Sequence, residues 1–279
     1  MIASQPPDIS IVTCSYNQRQ FLETTILSVF QQSNVNAEYI VIDGKSSDGS
    51  ATAIEKYSSW ISYWVSESDS GQSDALNKGL RRATGDIVGW LCSDDILLPD
   101  ALQKVVKFFK QHPEVDAVYG NAVLIDTKGN NINPKKEINF YPWMLIHDHN
   151  YIPQPAMFWR RKLHEKVGYL REDLHLTMDL DLWLRFAKNQ CKVLHVGDYF
   201  AAIRRHDLQK IFTQPEALAI EIAGLRATYE SSLSKLTPSL LSRSAARAAR
   251  IGLKLLDGGY SCTVPATISD ILRKLHSHS

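Results

Sequence analysis

Apolar runs and helical stripes alternate along roughly the first 110 residues of this 279-residue chain. Ile9-Ser10-Ile11-Val12-Thr13-Cys14 reads as a strand, and Leu22, Ile26, Val29 and Phe30 then share one helical face. Tyr39-Ile40-Val41-Ile42 is a second strand closed by Asp43-Gly44, and Ile54, Tyr57 and Ile61 mark a short helix. Tyr63-Trp64-Val65 is a third strand, followed by a helix with Leu76, Leu80 and Ala83 inward. Ile87 to Cys92 is a fourth, and Leu102, Val105, Val106 and Phe109 complete a fourth helix. This order predicts an α/β fold with a parallel, doubly wound sheet. Ligands of such sheets bind at the carboxyl ends of the strands. Those ends carry Ser15-Tyr16-Asn17, Asp43, Glu67 to Asp69, and Asp94-Asp95.

Beyond residue 113 the pattern changes. Val115 to Asp126 reads as a long strand, and Asp126-Thr127-Lys128-Gly129-Asn130 as a turn. Residues 134–155 hold Tyr141, Trp143 and Tyr151 with no clear period, as functional loops often do. Met178 to Asn189 is helical, with Leu180, Leu184 and Ala187 on one face; 192–203 is again strand-like. From about 214 the chain reads as helices, with breaks at Pro238 and Gly258-Gly259.

The chemistry concentrates at Ser93-Asp94-Asp95, straight after the fourth strand. Two adjacent carboxylates repel each other and are costly to desolvate together. A hard divalent cation, Mg²⁺ or Mn²⁺, relieves both costs through oxygen ligands and usually carries a substrate phosphate as well. The plain alternative is a helix N-terminus, since Pro99-Asp100 opens a helix soon after.

Composition narrows the setting. The chain is 44% hydrophobic and 22% charged with a net charge of +1, so nothing calls for nucleic acid. Cys14, Cys92, Cys191 and Cys262 make no metal-ligand spacing and suit a reducing cytoplasm. The first seven residues lack a basic start and an apolar core, and no run reaches the roughly 20 apolar residues of a spanning helix, so any membrane contact is expected to be peripheral. Residues 201–279 hold 11 Lys/Arg against 6 Asp/Glu. Arg243, Arg247, Arg250 and Lys254 recur at helical spacing beside Leu253 and Leu256, a pattern for an anionic membrane surface, a subunit contact or a solvated face.

Five segments in consistent order resemble family 2 glycosyltransferases of the GT-A fold, in the bacterial polysaccharide- and O-antigen-building branch. Ile11-Val12-Thr13-Cys14-Ser15-Tyr16-Asn17 is similar to the opening strand and loop, and Ile40 to Ser50 to the uracil-binding segment. Glu67 to Gly79 resembles a segment of the polysaccharide-building branch, Ser93-Asp94-Asp95 the D-x-D metal motif, and Met178 to Arg185 the catalytic-base segment. Ser93 stands where the first Asp is usual, Gly44 where many members carry a second acid, and Met178 where Glu is common. The resemblance implies a Rossmann-like, mostly parallel sheet flanked by helices. The boundaries are a GT-A domain over 1–212, with a donor half to about 112 and an acceptor half from about 113, and a helical extension over 213–279.

The resemblance also implies roles. Asp179 would be the general base, favoured over Asp181, whose spacing to Arg185 already suits an intrahelical ion pair. Asp95 would anchor Mn²⁺ or Mg²⁺, with His206 either completing the metal site or lying on the surface. Thr13, Ser15, Asn17, Asp43, Asp69, Asp74, Asn77, Lys78 and Asp94 would meet a UDP-sugar donor. For Asp43 the alternative is to hold the Gly44 turn; for Asp74, to favour a helix N-terminus; for Lys78, Arg81 and Arg82, a solvated face. Trp143, Gln154, Pro155 and Asp181 would meet the acceptor, and Tyr141 offers a further aromatic face. The implied activity is inverting, metal-dependent transfer of a hexose or N-acetylhexosamine from a UDP-sugar to a glycan or lipid-linked glycan, in the cytoplasm or at the inner face of a membrane. Two rivals are a metal-dependent nucleotidyltransferase, which would need a Gly-rich basic loop where Ser15-Tyr16-Asn17-Gln18-Arg19 stands, and an inactive sugar-nucleotide-binding subunit.

Overall fold

The structure is a computed structural model that describes residues 6–233, 243–256 and 258–259. Pro238 and Cys262 lie outside the described residues. The amino-terminal half follows the expected alternation: β1 (Ile9–Ser15), α1 (Arg19–Phe30), β2 (Ala37–Asp43), α2 (Ser50–Lys56), β3 (Tyr63–Ser66), α3 (Gln72–Arg82), β4 (Ile87–Trp90), a short β5 (Ile96–Leu97) and α4 (Ala101–Gln111). β1 pairs in parallel with β2 and β4, and β2 with β3. The register sets Ser15 beside Asp43 and Asp43 beside Ser66, so three strand ends finish level. β4 stops at Trp90, two residues short of the expected end, and the chain then runs past the sheet edge carrying Ser93-Asp94-Asp95.

The second half is mixed. β6 (Ala117–Ile125), β7 (Asn131–Lys135), α5 (Pro142–His147), β8 (Met157–Arg160), α6 (Leu163–Val167), α7 (Met178–Lys188) and β9 (Val193–Arg204) follow, then α8 (Lys210–Thr213), α9 (Pro215–Leu233) and α10 (Arg243–Leu256). The strands form one sheet in the order β3-β2-β1-β4-β8-β6-β9-β5, with β7 on β6. β8 and α6 have no counterpart in the sequence reading. β8 is four residues, too short for a period to declare itself, yet it joins the halves by pairing antiparallel with both β4 and β6. The segment 134–155, expected to be irregular, contains the helix α5.

Two apolar layers flank the sheet. Leu22, Ile26, Ile54 and Val105 fill the face under α1, α2 and α4. The other layer holds Leu76 and Leu80 of α3 and the indoles of Trp90, Trp159 and Trp183. Trp183 of α7 stacks on Trp90 of β4, with ring centroids 5.8 Å apart at 10°, and Trp159 of β8 meets both edge-on. Fully burying one large side chain of this kind contributes ~1.5–3 kcal/mol, and aromatic pairing adds to it. The cluster therefore fixes α7 against the strand that leads to Asp94-Asp95.

Candidate active site

β9 reaches the paired acids from the far side. Its residues Ala201 and Ala202 pair with Leu97 and Ile96 of β5, which brings Arg204 under the acid turn. Arg204 N–H donates to Asp95 Oδ1 at 3.0 Å, and its Nε to the Asp94 carbonyl at 2.9 Å. Thr25 of α1 donates its hydroxyl to the Ser93 and Asp95 carbonyls. The turn is thus held by both α1 and the end of β9. Asp95 is buried and Asp94 half-buried. Burial first, and the Asp94 charge second, push the Asp95 carboxyl well above the usual carboxylate range, against the pull of Arg204. That is the charge conflict a cation relieves.

Ligand atoms of Cys92, Asp94 and Asp95 lie within 4.8 Å of one another. The Cys92 thiol is held well above its ordinary value by its contact with Cys14, then by burial and the nearby negative charges, and a soft sulfur ligand does not suit a hard cation. Two hard carboxylates remain, and these fit Mg²⁺ or Mn²⁺. His206 is placed against Asp94, with Nε2 at 3.1 Å from Asp94 Oδ2, and joins the cluster only through that residue. Its Nδ1 is buried without a protein partner. A cleft of about 500 Å³ opens alongside, lined by Asn17, Gln20, Phe21, Thr24, Thr127 and Arg204 among others.

At the level strand ends, Tyr16 is 65% exposed above Gly44. A Cβ on residue 44 would fall 2.5 Å from Asp69 Oδ2, so glycine lets that carboxylate lie against the backbone. This accounts for the missing second acid. Asp69 also accepts from Gly71 N–H. Ser15 Oγ is buried with no protein partner. Asn17 lies in the left-handed region (φ 52°) and its side chain accepts from Ser47 N–H.

Several of the expected donor residues have protein partners of their own. Thr13 is fully buried and accepts from Tyr39 OH inside the core. Asp43 is fully buried; it accepts from the Ser46 amide and hydroxyl and from the Ser66 hydroxyl, so it holds the 43–46 turn and ties β2 to β3. Asn77 is buried and clamps the loop after α6 through Leu170 and Glu172. Lys78 is paired with Glu67 at 3.0 Å and Asp74 at 3.4 Å. Asp74 accepts from Ser70 N–H at the start of α3, the helix-terminus role. Arg81 and Arg82 are exposed, as a solvated face requires, and lie over the Tyr169 and Tyr63 rings. Thr13 and Asp43 belong to strands whose side chains turn inward here, while Asp74, Asn77 and Lys78 belong to α3 and are held by nearby or distant protein partners.

Asp179 is the second residue of α7 and keeps partial exposure. Its Oδ1 accepts from Leu180 N–H and its Oδ2 from Asn150 Nδ2, both at 2.7 Å. Burial raises its carboxyl to about 6 against those hydrogen bonds. A carboxylate near neutrality is suited to taking a proton. Asp181 is fully buried and bound to Arg185 Nε at 2.8 Å and Tyr229 OH at 2.8 Å. The intrahelical pair is present, and Asp181 is withdrawn as an acceptor contact. Pro155 is likewise buried, whereas Trp143 is partly exposed. Gln154 bridges the halves, donating to the Trp90 carbonyl and accepting from the Cys92 thiol.

The carboxy-terminal helices grip this region. Glu221 of α9 accepts from the amides of His175, Leu176 and Thr177, which organises the entry to α7. On α10, Arg250 pairs with Asp148 at 2.5 Å and Lys254 with Glu137 at 3.1 Å, all four side chains at 12% exposure or less. Two of the four basic residues of this face are thus engaged within the protein, while Arg247 stays exposed. Breaking one such buried pair costs ~3–5 kcal/mol, and a basic residue gains only ~1 kcal/mol at an anionic surface. Asn150, Glu221, Arg204 and Tyr16 are the functional candidates that sequence reasoning did not single out. Tyr16 and Arg204 flank assigned residues; Asn150 and Glu221 carry no local signal. No helix among the described residues is long and apolar enough to cross a membrane.

Residues 10–183 match the sequence profile described as glycosyl transferase family 2. The chain belongs to that family. It is 28% identical over 193 residues to an uncharacterized glycosyltransferase of Rickettsia typhi, covering 65% of this chain and 59% of that protein, so it spans about three fifths of the relative's length. A putative teichuronic acid biosynthesis glycosyltransferase of Bacillus subtilis is 37% identical over 108 residues, 38% of this chain and 43% of its own. Among solved structures, TarS 1–349 of S. aureus in complex with UDP-GlcNAc superposes with a TM-score of 0.65 at 17% identity, over 93% of this chain and 77% of that one. A mannosyltransferase of Pyrobaculum calidifontis in complex with GDP-Man and Mn²⁺ gives 0.56 at 16% identity, over 99% and 87%. The GT-A-like fold is thus common to all three.

Proposed function

We propose that the chain is an inverting, metal-dependent glycosyltransferase that moves a hexose or N-acetylhexosamine from a UDP-sugar to a glycan or lipid-linked glycan. The observation that carries this reading is the Trp90–Trp183 stack. It holds a proton-accepting Asp179 in fixed relation to the strand that leads to Asp94 and Asp95. Asp94 and Asp95 would hold the divalent ion, which when bound supplies positive charge for the departing diphosphate. Tyr16 offers a flat face for the base, over a floor built by Gly44 and Asp69. Ser15 Oγ and His206 Nδ1 are polar atoms that the donor could satisfy.

Asp179 removes the proton of the acceptor hydroxyl as its oxygen bonds to the anomeric carbon. The bond from that carbon to the β-phosphate oxygen breaks, and its electron pair leaves with UDP. Support for a sugar-nucleotide donor comes from the complexes of the TarS and mannosyltransferase relatives of this fold, and for polysaccharide biosynthesis from the Bacillus subtilis relative, a putative teichuronic acid biosynthesis glycosyltransferase. A thermal-shift panel tests the donor class. UDP-sugars with Mn²⁺ should raise the melting temperature, since a ligand bound to the native state stabilises it by mass action. A larger shift with GDP- or dTDP-sugars would contradict the UDP assignment, and equal shifts in EDTA would contradict the metal.

A further inference from the structure

Asn150 sits on the loop between α5 and β8 and donates from Nδ2 to Asp179 Oδ2 at 2.7 Å. That contact fixes the amide's orientation, because the flipped form would turn a carbonyl oxygen toward a carboxylate. Asn150 Oδ1 then lies on the other side of the amide, buried and without a protein partner. Leaving such an oxygen unsatisfied costs ~1–3 kcal/mol, which a ligand hydroxyl beside Asp179 would recover. The loop is braced from outside. Arg250 holds the Asp148 carboxylate, and Arg226 donates to the Ile146 and Asp148 carbonyls. Side chains from α7, α9 and α10 therefore converge on a short stretch around the end of α5.

Resting on the reading of Asp179 as the base, we propose that Asn150 is an acceptor-recognition residue. Its Oδ1 accepts a hydrogen bond from the hydroxyl next to the one that Asp179 deprotonates. The acceptor is then a sugar ring with two adjacent free hydroxyls: one loses its proton to Asp179, and its neighbour anchors the ring on Asn150. A ring lacking the neighbour leaves the amide oxygen unpaired and is discriminated against. The Asp179–Asn150 contact also holds the base in line with the ring so anchored.

The test uses the full chain with Mn²⁺, UDP-GlcNAc and a panel of p-nitrophenyl glycosides, with deoxy analogues of any glycoside that accepts sugar. Wild type should lose about tenfold in kcat/KM when the hydroxyl adjacent to the attacking one is absent, the loss of one hydrogen bond. Asn150→Ala should lose about the same factor with the complete acceptor, and removing the hydroxyl should then cost it less than about twofold. The KM for UDP-GlcNAc should stay unchanged. Asn150→Leu, which keeps the side chain's bulk, should behave alike and guards against a folding defect. A deoxy penalty that persists undiminished in both variants overturns the assignment, while Asp179 as base survives. If wild type transfers sugar to no glycoside, the transferase reading fails and this inference with it.

Discussion

Changing Asp179 to asparagine should lower sugar transfer by roughly 10²–10⁴-fold, the usual contribution of a general base. The amide keeps the carboxylate's shape but cannot take the acceptor's proton. Donor binding should persist, because Asp179 belongs to α7 and the paired acids follow β4. The melting temperature should change little: the neutral amide escapes the burial cost that raises this carboxyl, but its nitrogen replaces one of the two oxygens that accept from Leu180 N–H and Asn150 Nδ2, a bond recovered only if the Asn150 amide turns over. The pH profile follows from the same shift. Asp179 acts only when ionised, so kcat/KM should rise with pH through about 6 and level off above. In Asp179→Asn that rising limb should vanish. A variant working near the wild-type rate would clear Asp179 of the role. Asp181 would not inherit it without losing its bonds to Arg185 and Tyr229.

Asp95→Asn should abolish the metal-dependent part of donor binding and lower transfer by on the order of 10²-fold or more, matching the several kcal/mol a metal contributes to a departing diphosphate. Asparagine is the informative change because its neutral oxygen can still accept from Arg204 N–H, the bond that joins the acid turn to β9. Alanine would orphan that buried donor and cost ~1–3 kcal/mol for a reason unrelated to metal. Calorimetry with UDP should show affinity rising with Mn²⁺ in wild type and flat in the variant. In EDTA the variant should melt no lower, because the buried charge conflict between Asp94 and Asp95 is gone. Equal Mn²⁺ dependence in the two proteins would move the metal site elsewhere.

Much of this arrangement was legible in the sequence. Parallel strands buried on both faces read as continuous apolar runs, so β1, β2 and β4 announced themselves and their ends marked the site. What a strand end does not reveal is which way its side chains turn. Thr13 and Ser15 lie two residues apart on β1, one wholly inside the core with Tyr39 and the other ending in an orphan hydroxyl at the edge. Asn77 looked like a donor ligand because its partners, Leu170 and Glu172, are more than 90 residues away. The partners of Arg250 and Lys254 on α10 were hidden for the same reason: Asp148 and Glu137 lie more than 100 residues earlier in the chain. Asn150 was invisible because its meaning comes wholly from Asp179, 29 residues later.

The central claim is a single displacement at the anomeric carbon, with Asp179 on the side away from the departing diphosphate. The most direct measurement is proton NMR of the product formed from a UDP-sugar whose anomeric bond is α. One attack from the opposite face inverts that centre, so the product's anomeric proton should carry the large coupling of a β-linkage in a gluco-configured sugar. A small coupling, from a retained α-linkage, would contradict the account.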